Sequence, residues 1–140
     1  MKKTRKSSKK GFTLVELIVV LVILAILAAM LVPALTGYIK RARQEKDYNA
    51  AAEVLTAAQS VIVDYYGKTP ESQVKPSAAA AYVESHITDI NTLTGLSLAT
   101  GDVSDVEVGT NYTITKITVT LNDNEYSWNG STWNDAISNT

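Results

Sequence analysis

A 140-residue chain without cysteine can hold one compact domain and a long helix, but not two independent cores, a disulfide staple or a thiolate nucleophile. Hydrophobic residues make up 46% of the composition, near a globular average, yet they crowd toward the front. Formal net charge is −1, and six of the thirteen basic residues (Lys2, Lys3, Arg5, Lys6, Lys9, Lys10) fall in the first ten positions; beyond residue 11 seven basic residues face fourteen acidic ones, which disfavours a phosphate-backbone partner, so no nucleic acid is expected.

The basic segment, residues 1–11, runs without a spacer into Phe12-Thr13-Leu14-Val15-Glu16-Leu17. Residues 17–32 are an unbroken apolar run, and uncharged residues continue to Ile39. As a helix, residues 17–39 extend about 35 Å at about 1.5 Å per residue, enough for a hydrocarbon core of about 30 Å. A basic start followed by an apolar stretch describes a simple transmembrane anchor and a secretory signal alike. For the second, Val32-Pro33-Ala34 offers only a weak cleavage site. Lys40, Arg41, Arg43 and Lys46 follow the span, so charge bias favours a cytoplasmic amino terminus only modestly.

Two residues in this segment are unusual. Glu16 places a carboxylate at the edge of the apolar run, where an acidic residue at mid-membrane would cost about 2.5 to 3.5 kcal/mol. The interface and the positive end of the helix dipole soften that cost, and a waiting partner would remove it. Pro33 lies well inside the helical stretch, where it removes one backbone hydrogen bond and predicts a kink.

Lys10-Gly11-Phe12-Thr13-Leu14-Val15-Glu16-Leu17 resembles the processing and assembly motif of the type IV pilin family. The resemblance implies that residues 1–11 are a leader, that a prepilin peptidase cuts between Gly11 and Phe12, and that the new amino terminus at Phe12 is methylated. It implies that residues 12–39 are a transmembrane and filament-core helix, with local extension around Pro33 in the filament. It also gives Glu16 its partner, the Phe12 amine of an adjacent subunit. Each charge would be uncompensated in the membrane before assembly, so pairing would favour subunit addition and set axial register.

After Ile39 helix-forming residues continue through Tyr66, with residues 40–47 dense in charge and read as a solvated collar, contact with anionic lipid or neighbouring subunits being the alternatives. Tyr48, Ala51, Leu55, Ala58, Ile62 and Tyr65 recur at steps of three and four and predict a packing stripe along residues 40–66. Gly67 and Pro70 predict the helix stop. Residues 67–76 read as a loop, and Ser77 as the cap of a short helix over residues 78–90 with Tyr82, His86 and Ile90 on one face. Alternation of Ile117, Val119 and Leu121 with Thr118 and Thr120 predicts a half-buried strand. Asn122-Asp123-Asn124 predicts a turn into a strand over 125–128, and Asn129-Gly130 a hairpin turn before residues 131–133. With a further strand over 103–108, the head (residues 67–140) reads as three or four antiparallel strands packed on the amphipathic half of the long helix, an α+β architecture.

No glycine-rich phosphate loop, zinc-ligand set or nucleophile elbow appears, and neither enzyme activity nor a cofactor or metal is expected. His86, the lone histidine, reads as a packing or surface residue, and Asp102, Asp105 and Glu107 do not follow an EF-hand loop. Tyr126, Trp128 and Trp133 read as cross-strand packing, with a sticky surface patch as the alternative. Two glycosylation sequons occur, at Asn111 and Asn129.

From the resemblance follows a structural subunit, a major pilin of a type IV pilus serving adhesion, twitching motility or related surface functions. A pseudopilin of a type II secretion-like system, a DNA-uptake pilus subunit and a minor pilin or adhesin binding through the carboxy-terminal hairpin stay open. Implied partners are a prepilin peptidase, copies of the chain in a helical filament and the assembly platform. Implied locations are the cytoplasmic membrane, crossed once with the amino terminus inside, and then the extracellular pilus.

Overall fold

The structure, a computed structural model, describes residues 11–134; all of the predicted leader (residues 1–11) except Gly11, and the last six residues of the head, lie outside the described residues. Helix α1 (Leu14–Lys68) is followed by a 3-10 turn (Glu71–Gln73), α2 (Pro76–Ser85), α3 (Ile87–Thr94) and strands β1 (Val103–Val108), β2 (Ile114–Leu121), β3 (Asn124–Trp128) and β4 (Trp133–Asn134). The chain divides into two compact units, one up to Ala42 and one from Arg43 onward, and α1 contributes to both.

In the first unit every described side chain is exposed, including Leu21, Leu24, Met30 and Leu35. An apolar surface of this extent is stable only when something other than water covers it. The helix continues through Pro33, and the Thr36 hydroxyl donates to the Val32 carbonyl at 2.8 Å, a side-chain bond beside the position where the proline ring withholds a backbone donor.

The second unit is the α+β head. Its four strands form an antiparallel meander in the order β1-β2-β3-β4. Along α1 the stripe is broader than the sequence spacing predicts: Ala51, Ala58, Ile62 and Tyr65 are buried as expected, and Val54, Ala57 and Val61 join them. Leu55 is half-buried, while Tyr48 sits at the stripe's edge, its ring edge-on to Trp133 with centroids 6.1 Å apart. Against this face pack Ile117, Val119 and Tyr126 of the sheet, Ala79 and Val83 of α2, and Ile87 and Ile90 of α3.

Polar clasps hold the layers in register. Gln59 on α1 donates from Nε2 to the Tyr112 carbonyl at 2.8 Å and accepts the Ile114 N–H at 3.0 Å, pinning the β1–β2 turn to the helix. At the other end of the sheet Asn122 and Asp123, with φ of 49° and 63°, form the two-residue turn joining β2 to β3. The Asn122 amide donates to Asp47 Oδ1 at 2.9 Å across 75 residues of sequence. Asp47 therefore departs from the solvated collar: it is 7% exposed and belongs to the head's interface with its own helix. β1 is an edge strand bulged at Asp105 (φ 51°), and Glu84 of α2 accepts the Val106 N–H at 3.3 Å, satisfying one donor of the edge.

Three local expectations need correction. α1 passes Gly67 and ends at Lys68, because a glycine costs a helix about 1 kcal/mol and does not by itself stop one. The helix predicted over 78–90 is two helices. Pro76 opens α2 with Lys75 as N-cap, so Ser77 lies inside it. At His86 the backbone leaves the helical path (φ −109°, ψ 40°) as the ring Nδ1 donates to the Tyr82 carbonyl at 2.8 Å, displacing the backbone bond a continuous helix would make there. Finally, Asn129-Gly130 is not a two-residue hairpin. The Asn129 carboxamide oxygen accepts the N–H of Ser131 and of Thr132, closing a four-residue loop before β4.

Candidate functional site

The start of α1 is built from two residues three apart. Thr13 lies just before the helix, and its Oγ1 accepts the Glu16 N–H at 3.3 Å while its own N–H donates to Glu16 Oε2 at 3.1 Å. This reciprocal capping box satisfies two backbone donors that a helix start otherwise leaves open. Glu16 also lies in the first turn, where the helix dipole favours negative charge. Its signature, Thr-x-x-Glu before an apolar run, stands in the sequence as Thr13-Leu14-Val15-Glu16. The carboxylate thus has a partner within its own chain, which lowers the cost of the uncompensated charge expected from sequence.

Phe12 is 81% exposed, and a Cβ added to Gly11 would meet nothing within 4 Å. No packing among the described residues demands glycine there. The Glu16 carboxylate bonds to the backbone N–H of Thr13, which places it at the Phe12–Thr13 peptide, one residue beyond the Gly11–Phe12 junction. Gly11, Phe12, Thr13 and Glu16 thus occupy one stretch at the start of an exposed apolar helix. Pro33 lies far along that helix and touches none of them in sequence. By length and composition α1 is able to cross a membrane, its most apolar window having a mean hydropathy of 3.2 and none of it buried.

Elsewhere the chemistry-bearing side chains are engaged structurally. His86 stacks on Tyr82 with centroids 3.6 Å apart, and Tyr82 donates to Asp64 Oδ2 at 3.2 Å. The Lys68 ammonium hydrogen-bonds the same Asp64 oxygen at 2.7 Å. That bond holds the Asp64 carboxyl below its ordinary range and the Lys68 ammonium above its own, while burial pushes the Tyr82 phenol up. Asp102 accepts the Ala99 N–H at 2.7 Å, Asp105 the Thr118 hydroxyl at 3.4 Å, and Glu107 faces Lys116 at 3.6 Å. Among the described residues no group of three or more His, Asp or Glu is placed to hold a metal ion. Trp128 and Trp133 are directly opposed on β3 and β4, centroids 5.6 Å apart, and pack against the core. Of the sequons, Asn111 is exposed in the β1–β2 turn and accepts the Thr113 hydroxyl at 2.6 Å, whereas the Asn129 amide is taken up in its own loop.

Comparison with known proteins bears on this arrangement. A family model described as a prokaryotic N-terminal methylation motif matches residues 6–32. Over 138 residues the chain is 30% identical to the fimbrial protein EcpC of Eikenella corrodens, an alignment covering 94% of this chain and 88% of that protein. No solved structure matches.

Proposed function

Because the chain belongs to the type IV pilin family, as a fimbrial subunit with that family's amino-terminal motif and an α+β head, we propose that it is the major subunit of a type IV pilus. In this reading a prepilin peptidase cuts between Gly11 and Phe12, the Phe12 amine is methylated, and the subunit waits in the cytoplasmic membrane with residues 17–39 in the bilayer. It then polymerises through α1, passed by the assembly platform into a surface filament that serves adhesion or motility.

The observation that carries the proposal is the Thr13–Glu16 capping box at the start of a helix whose most apolar stretch is wholly exposed. Among the described residues Glu16 is bonded through Oε2, to the Thr13 N–H, and Oε1 would be the oxygen that meets a further donor. Cleavage would strip the leader's six cations and create one amine. The amine of an adjacent subunit would meet Oε1 in a low-dielectric setting, where an ion pair that keeps its other hydrogen bonds is worth far more than in water. Removing either partner would leave an unpaired charge in an apolar environment, which is strongly destabilising.

The test is Glu16→Ala. Mass spectrometry of this variant should still find a terminus at methylated Phe12, while surface filaments are lost; normal filaments from it would overturn the role given to Glu16. In the unsubstituted protein, a mature terminus at Leu35 or Met1 would overturn the processing step.

A further inference from the structure

The cations that follow the apolar half of α1 have no ion-pair partner among the described residues. Lys40, Arg41, Arg43 and Lys46 are all exposed. None makes an ion pair among the described residues, where the pairs formed are Asp64–Lys68 and Glu107–Lys116. Neighbouring acids do not offset them. Asp47 is buried and its Oδ1 is committed to Asn122, leaving exposed Glu45 against four positive charges. Lys40, Arg43 and Lys46 recur at steps of three along α1, with Arg41 between the first two.

Depth supplies the second observation. Residues 17–39 extend about 35 Å against a hydrocarbon core of about 30 Å, so the helix emerges near Ile39. Residues 40–46 rise about 10 Å further, enough to pass through the headgroup layer of one leaflet, roughly 5 to 8 Å. Tyr38, 73% exposed, stands immediately before the charges, at the level where aromatic side chains gather at membrane surfaces.

We infer that Lys40, Arg41, Arg43 and Lys46 form a docking collar for the phosphate groups of anionic phospholipids in the leaflet where the span ends. This rests on the reading that residues 17–39 lie in the bilayer before assembly. The two arginines offer fork-shaped pairs of N–H donors to phosphate oxygens, and the two lysines add mobile point charges. Each such cation near an anionic surface strengthens association about fivefold. The collar would fix the depth at which an unassembled subunit waits.

The experiment uses the full chain, leader retained, in nanodiscs of equimolar phosphatidylcholine and phosphatidylglycerol, with spin-labelled versions of each lipid reporting which one occupies the protein boundary. The phosphatidylglycerol preference should fall at least fivefold in the variant K40Q/R41Q/R43Q/K46Q, which keeps the leader's charges, and should survive in K40R/K46R. An unchanged preference in the glutamine variant overturns the collar. A variant that keeps its lipid preference but loses filaments would assign these cations to a second copy of the chain, and also overturns it. Retention of both proteins in discs of phosphatidylcholine alone isolates the collar from the span; loss of both from such discs would refute the span itself.

Discussion

Replacing Asn122 with glycine probes the longest-range polar contact in the head. Asn122 sits at φ 49° in the β2–β3 turn, a conformation glycine adopts freely, so Asn122→Gly keeps the turn and deletes only the carboxamide. What is lost is the 2.9 Å bond to Asp47, whose carboxylate is 7% exposed. A hydrogen bond to a charged group contributes about 1.5 to 3 kcal/mol, and glycine adds a few tenths of backbone entropy cost, so a loss of about 2 kcal/mol is expected. For a unit of this size that corresponds to a fall in Tm of roughly 8 to 16 °C. Trp128 and Trp133 report the transition directly, since Trp133 packs on Tyr48, the residue after Asp47. Thermal unfolding of the full chain in detergent, followed by tryptophan fluorescence, measures it. Asp47→Ala in the Asn122→Gly background should cost less than Asp47→Ala alone, with a coupling of about 1.5 kcal/mol. Additive effects, or a glycine variant within about 0.5 kcal/mol of the parent, would refute the reasoning.

Ile117→Ala removes a side chain with 0% exposure at the centre of the sheet and should destabilise the head by about 2 to 5 kcal/mol, whereas Ile117→Val should cost only about 0.5 to 1.5, both read from the same melts. Two glycines should respond with opposite sign. Gly67→Ala, helical and with open space around the added carbon, should stabilise by about 0.5 to 1 kcal/mol. Gly130→Ala, at φ 90° with the Thr115 carbonyl 3.2 Å from the new Cβ, should destabilise by about 1 to 2 kcal/mol. Asp64 titrates below 3.8 in the folded head because Lys68 hydrogen-bonds it, so its share of stability is present at neutral pH and is lost as pH falls through that lowered value. Lys68 titrates above 10.5, so its share is lost only as pH rises through the raised value. Lys68→Gln should therefore lower the Tm at pH 7 by a small, salt-sensitive amount that vanishes in acid; a difference that persists there would mean the lysine acts by packing.

Much of the molecule was legible because its signals are local. The membrane-length run, the helical stripe through Ala58, Ile62 and Tyr65 and the alternation of Ile117 with Val119 each show within a few residues, where composition and periodicity expose them. The Thr13–Glu16 cap is equally local, but a carboxylate beside an apolar run carries two signals at once, a charge and half of a cap, and the charge masks the cap. The break at His86 was not legible, since it depends on a ring bonding the carbonyl four residues back and on Ile87 and Ile90 turning into the core.

By itself the sequence determined that a long helix leads the chain, that its first half is apolar and its second half striped, and that a small antiparallel sheet follows. Those properties come from composition and spacing, which act on neighbouring residues. Only tertiary structure decided that Asp47 is buried while Lys40, Arg41, Arg43 and Lys46 stay open, that Gln59 clasps the β1–β2 turn, and that Glu84 covers an edge-strand donor. Those side chains read alike as polar surface, and what separates them is a partner 22 to 75 residues away that exists only once the chain has folded.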